Sequence, residues 1–136
     1  MYQSDWIIRQ IEMMGRAFRR LLDALREHRP DEALEASEEA VGELLDSDPI
    51  IIEGLTGEGL VTLLSAGGPL DVFRAHMLGE LLAARAEAHE ELGQYAEAAA
   101  ERERARALLA AALPLAEGAD AGRIAEVIGW LGEAGG

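Results

Sequence analysis

The 136-residue chain contains no cysteine, which removes disulfides, thiolate metal sites and cysteine nucleophiles from consideration. It also contains no lysine: all twelve of its basic residues are arginine. Only six residues are aromatic, so any core must be built from smaller side chains. Long apolar runs are absent too, and none approaches the length needed to cross a bilayer. No secretory leader pattern opens the sequence, and the expected location is the bacterial-type cytoplasm. With a net charge of −14 the chain lacks the basic surface that phosphate neutralisation requires, so nucleic acid is not an expected partner.

What the chain has in abundance is alanine, 25 residues of it, beside leucine, glutamate and arginine. All four are strong helix formers, and the composition points to an all-α fold. Alanine offers little area to bury, so such a core demands close approach of the helices. The length suits one domain spanning 1–136. Charge is unevenly placed: residues 1–29 carry six arginines against four acids, giving +2, and the remainder carries six arginines against 22 acids, giving −16.

Periodicity divides the chain into six or seven helices. Ser4 suits an N-cap, and Ile7, Ile11, Met14, Phe18, Leu22 and Leu25 recur at spacings of three and four, predicting a long amphipathic helix to about Arg26. Pro30 then opens a second helix with Ala33, Ala36, Ala40 and Leu44 on one face. After Pro49 and Ile50-Ile51-Ile52, Thr56 caps a short helix in which Leu60, Leu63 and Leu64 are expected to face inward. Gly67-Gly68-Pro69 is the strongest break and divides the chain into units 1–66 and 69–132. The second unit is predicted to hold a helix from about Pro69 to Leu92, with Phe73, Met77, Leu81, Ala84 and Ala88 in its stripe. Past Gly93 another runs from Tyr95 to about Leu113, where Pro114 halts it. Asp120 is expected to cap a last one carrying Ile124, Val127, Ile128 and Leu131, ahead of a frayed tail over 133–136.

The two units show a common spacing. Glu32-Ala33, Ala40, Leu44 and Pro49 recur 65 residues later as Glu97-Ala98, Ala105, Leu109 and Pro114. Coincidence among alanines and leucines competes with duplication of a hairpin unit, and the two matched prolines favour duplication.

Gly93-Gln94-Tyr95-Ala96-Glu97-Ala98, preceded by Ala86 and followed by Ala105, resembles the turn and small-residue pattern of a tetratricopeptide repeat (TPR). The resemblance implies antiparallel helical hairpins. Gly93 would end the first helix and Tyr95 open the second, while Ala86, Ala98 and Ala105 would let the two pack closely. Arg102 stands where that family usually has an aromatic, Pro114 arrives about one turn late, and Leu21 occupies a usually small place in the first unit. The implied function is a non-enzymatic scaffold or adaptor that takes a peptide or helix in a helical groove. The opening residues, Met1-Tyr2 through Trp6-Ile7-Ile8-Arg9 to Glu12, also resemble the start of an uncharacterised bacterial family of short helical proteins, which implies no activity.

Candidate chemistry is sparse. His76 and Glu80 stand i,i+4 and could supply two metal ligands, but His89 is turned away from them, and a capping or surface histidine is the simpler reading. The serines at 4, 37, 47 and 65 lie in no nucleophile motif. Gly54-Leu55-Thr56-Gly57-Glu58-Gly59 lacks the lysine of a phosphate loop and reads as a flexible turn. Glu97, Glu101, Arg102, Arg104 and Arg106 read as surface pairing. No catalytic, cofactor or metal residue is therefore assigned, and the alternative is an enzyme working through a metal or clustered carboxylates.

The segment that stands out is the first helix, whose Trp6, Ile7, Ile11, Met14 and Phe18 are large while the rest of the chain is alanine-rich. Three roles stay open for it at this level. It fills the groove of the other helices, pairs with its counterpart in a homodimer, or lies on an anionic membrane as a basic amphipathic helix. Asp5, Glu12, Asp23 and Glu27 interrupt the basic face and count against the membrane.

Overall fold

The computed structural model describes residues 15–45 and 54–135, with side chains to residue 133. These residues are all-helical, with no strand among them, and form six helices. They are α1 (15–26), α2 (Pro30–Leu45), α3 (Gly57–Leu64), α4 (Val72–Glu91), α5 (Tyr95–Ala112) and α6 (Gly118–Gly135). A 3₁₀ turn, Leu113–Leu115, carries Pro114 and separates α5 from α6.

The chain reverses twice with one hydrogen-bond pattern. At the end of α1, Arg29 N donates to Ala24 O (2.8 Å) and His28 adopts a left-handed φ of 57°. At the end of α4, Gln94 N donates to His89 O (2.8 Å) and Gly93 adopts φ 76°. Both are Schellman-type closures, which need one left-handed residue just past the helix. The two turns lie 65 residues apart, as do the starts of α2 at Pro30 and α5 at Tyr95. The spacing expected from sequence is therefore a spacing of equivalent hairpins. Only the second has glycine at the strained position.

Within the α4–α5 hairpin, Ala86, Ala98 and Ala105 are buried at the interface, where small side chains allow close approach. Gly79 shows how close: a Cβ there would stand 2.6 Å from Cγ of Leu109. Tyr95, expected to help this packing, is 67% exposed. α4 also packs against α2, through that helix's face of Ala33, Ala36, Ala40 and Leu44. α3 sits on α5, and α6 rests on α5 with a lighter contact to α4.

Several boundaries differ from the sequence reading. The α4 helix begins at Val72, because the Asp71 side chain accepts from Arg74 N (3.1 Å) and caps it there. The last helix starts at Gly118, so Asp120 lies in its first turn near the positive end of the dipole and does not cap it. That helix runs on to Gly135, through the stretch expected to fray. Leu63 faces outward, since an eight-residue helix lying on one neighbour buries a single stripe, here Leu60 and Leu64. Thr56 caps α3 as expected, accepting from Gly59 N at 3.1 Å. The loop before α3 is held in place: Arg104 Nε donates to Leu55 O (2.8 Å), and a Cβ on Gly57 would stand 2.5 Å from that of Ala107. Gly57 therefore serves close packing of α3 on α5.

Candidate functional groove

α1 carries two overlapping apolar faces, one residue apart. Ala17, Leu21 and Ala24 are buried and form the face turned to the core. The larger stripe of Phe18, Leu22 and Leu25 is only partly covered and edges a groove with α4 and α6. Two clefts make up this groove, of about 400 Å³ and 230 Å³, and they share Phe18, Leu22 and Glu80. The larger is flanked by Gly15 and Arg19 of α1 and by Phe73 and Met77 of α4. The other continues past Leu25, Ala84 and Glu87 to Val127 and Trp130 of α6. Since Gly15 lies by Phe73 and Leu25 by Glu87, α1 and α4 run parallel along the groove. A contact at the far end agrees, with His28 Nδ1 3.3 Å from Glu91 Oε1.

The groove leaves large side chains in solvent. Leu22, Phe73 and Trp130 are 44%, 45% and 48% exposed. Phe73 and Met77, expected in the inward stripe of α4, line the groove instead. Of the N-terminal residues singled out in the sequence, Phe18 lies in both clefts. Trp6, Ile7, Ile11 and Met14 lie outside the described residues.

A polar cluster built on the buried Glu80 borders both clefts. Nε2 of His76 donates to Oε2 of Glu80 (2.6 Å), and Arg123 of α6 donates to Oε1 through Nε (3.0 Å) and Nη2 (2.6 Å). The Arg123 guanidinium also stacks 4.9 Å from the ring centroid of Trp130, about two helical turns along α6. Its hydrogen bond to Glu80 holds the Arg123 pKa above its ordinary value. His76 is buried, contrary to the surface reading, and is bonded to Glu80 one turn further along α4. Both oxygens of Glu80 are thus hydrogen-bonded. Among the described residues, no group of three or more His, Asp or Glu side chains converges in a metal-binding arrangement.

At the far end of the groove stand Glu87, Glu90 and Glu91 of α4. Arg102 binds Glu90, and His28 meets Glu91. Glu87 makes no ion pair among the described residues. Burial raises its pKa above the ordinary 4.5, repulsion from Glu91 and Glu90 adds to this, and Arg102 opposes it.

A second buried cluster lies between α4 and α5. Arg85 Nε is 3.3 Å from Glu101 Oε1, with His89 Nε2 and Arg104 Nη1 each 3.9 Å from the same carboxylate. Glu101, expected on the surface, is thus an interior ion. Its principal partner is sixteen residues away across the hairpin, where local spacing gives no sign of it.

No family model, no curated protein and no solved structure matches the chain. Among the described residues, no helix is long and apolar enough to cross a membrane.

Proposed function

We propose that this protein is a non-catalytic, TPR-like interaction module of the cytoplasm. It binds a helix or peptide in the groove between α1, α4 and α6, and it self-associates as a homodimer through its N-terminal helix. The observation that carries the reading is the groove itself. In a chain with six aromatic residues, Phe73 and Trp130 are left nearly half exposed in one groove, with Leu22 beside them. Exposed apolar side chains gathered in one concavity mark a surface that another chain covers.

Two further features support it. The α1–α2 and α4–α5 hairpins share their turn geometry at a 65-residue spacing, and α4 packs on both α2 and α5. Stacked helical hairpins present concave binding surfaces. In addition, Ile7, Ile11 and Met14 precede Phe18 at spacings of four and three, so in sequence they extend the stripe that edges the groove.

Light scattering coupled to size exclusion tests this on the full chain. Wild type is expected to run as a dimer whose population falls on dilution. The Leu22→Arg and Phe73→Ser variants, both at exposed positions, should keep their helical circular dichroism and run as monomers. A wild type that stays monomeric at its highest attainable concentration refutes self-association.

A further inference from the structure

The groove is electrically two-ended. At the Gly15 end stands Arg19 of α1, which forms no ion pair among the described residues. Arg19 lines the larger cleft. Glu87 and Glu90 line the opposite end together with Arg102, which binds Glu90, so Glu87 is the carboxylate there without an ion-pair partner among the described residues. The apolar Phe18 and Leu22, shared by the two clefts, lie between, with Phe73 beside the Arg19 end.

Resting on the self-association proposed above, we infer that the occupant of the groove is a second copy of this chain, docked antiparallel about a two-fold axis near Leu22, with Arg19 of each copy against Glu87 of the other. A two-fold axis uses the same patch on both copies, so a surface with a basic end and an acidic end is complementary to itself only when reversed. The apolar centres then cover Leu22 and Phe73, and the charge contact forms twice. Parallel packing would set Arg19 against Arg19 and Glu87 against Glu87. Glu87 gains most from the reversed arrangement, because burial and its acidic neighbours disfavour its charge in the isolated protein. Charge pairs at an interface rim set orientation more than affinity, which suits a groove whose apolar lining supplies the attraction.

Charge swaps on the full chain, read as the dimer dissociation constant by analytical ultracentrifugation, test this. Arg19→Glu and Glu87→Arg each place like charges together twice per dimer, and each should weaken association about tenfold or more. The double variant should return to within a few-fold of wild type. An equimolar mixture of the two single variants should form a heterodimer in preference to either homodimer, since both of its contacts then pair opposite charges. If Arg19→Glu dimerises as tightly as wild type, the antiparallel arrangement is wrong while self-association stands. The arrangement is equally wrong if the double variant is no better than the singles. A monomeric wild type removes both proposals, and the two failures are thus distinct.

Discussion

Replacing Gly79 with alanine should destabilise the protein, although the same change stabilises most helices. Gly79 lies in the interior of α4, and removing glycine's backbone freedom there is worth about 1 kcal/mol in favour of alanine. Against that gain, the new Cβ would stand 2.6 Å from Cγ and 2.7 Å from Cδ2 of Leu109. Leu109 is fully buried, and its branch carbon cannot move away without shifting the side chains around it. Overpacking of this kind costs about 1–3 kcal/mol, so the net effect is a loss of about 1 kcal/mol, or roughly 3–5 °C in melting temperature for a chain of this size. Gly129→Ala is the control. It lies in α6 with no atom within 4 Å of the added Cβ, and it should raise the melting temperature by a similar amount. Thermal unfolding followed by circular dichroism reads both. The decisive comparison is made in a Leu109→Ala background, where the obstructing side chain is gone and Gly79→Ala should turn stabilising. If Gly79→Ala raises the melting temperature of the otherwise unaltered chain as much as Gly129→Ala does, close contact of α4 and α5 is not what requires a glycine.

Other substitutions probe the turns and the ion clusters. His28→Gly relieves the left-handed strain that Gly93 avoids at the equivalent turn, and should stabilise by about 1 kcal/mol in chemical denaturation. Arg123→Ala leaves Glu80 with His76 alone. Because Arg123 is 42% exposed, the loss is held to about 1–2 kcal/mol, and hydrogen exchange should show α6 amides losing more protection than those of α2. At Glu87, folding raises the pKa, so the folded protein holds that proton more tightly than the unfolded chain. The stability this contributes is present below the ordinary value of 4.5 and is lost as pH rises through the raised one. Glu87→Gln, melted at high dilution, should therefore gain stability at neutral pH, by less than about 1 kcal/mol at so exposed a site, and show no gain at acid pH. The paired replacement Arg85→Met with Glu101→Leu should be neutral or stabilising in denaturant melts, whereas Glu101→Leu alone strands Arg85 in the interior and should cost about 3–5 kcal/mol.

Much of the fold was legible because its signals are local. Pro30, the Gly67-Gly68-Pro69 break, Gly93 and Pro114 all fall at or beside element ends. The excess of alanine announced close helix contact, and Ala33, Ala40, Ala98 and Ala105 are completely buried. The orientation of α1 was harder to read. Two apolar stripes overlap along it, and periodicity picked the one with the larger side chains. The core face belongs to Ala17, Leu21 and Ala24, since residues that let α1 approach α2 and α4 closely win the interior. Phe18, Leu22 and Leu25 are thereby turned to the groove. The charged interior had no local signal at all, because Arg85 and Glu101, or Glu80 and Arg123, meet only after the helices have packed.

Those distant pairs answer a difficulty created by the alanines. A face of alanines is nearly the same after a shift of one helical turn, so along the α4–α5 contact it is the seat of Leu109 against Gly79 that marks the register by shape. A slipped hairpin would lose that seat. It would not keep Arg85 beside Glu101, and an unpaired ion in that interior is costly enough to reject the slip. The match is imperfect even in place: Nε of Arg85 and Oε2 of Glu101 lack hydrogen-bond partners, the mark of a pair that selects an arrangement more than it adds stability. Glu80 with Arg123 does the same for α6, whose contact with α4 is slight. Register matters for the groove because its two charged ends lie on different helices, Arg19 on α1 and Glu87 on α4. Their separation, and with it any fit to a reversed second copy, is set only when every helix sits in its proper turn.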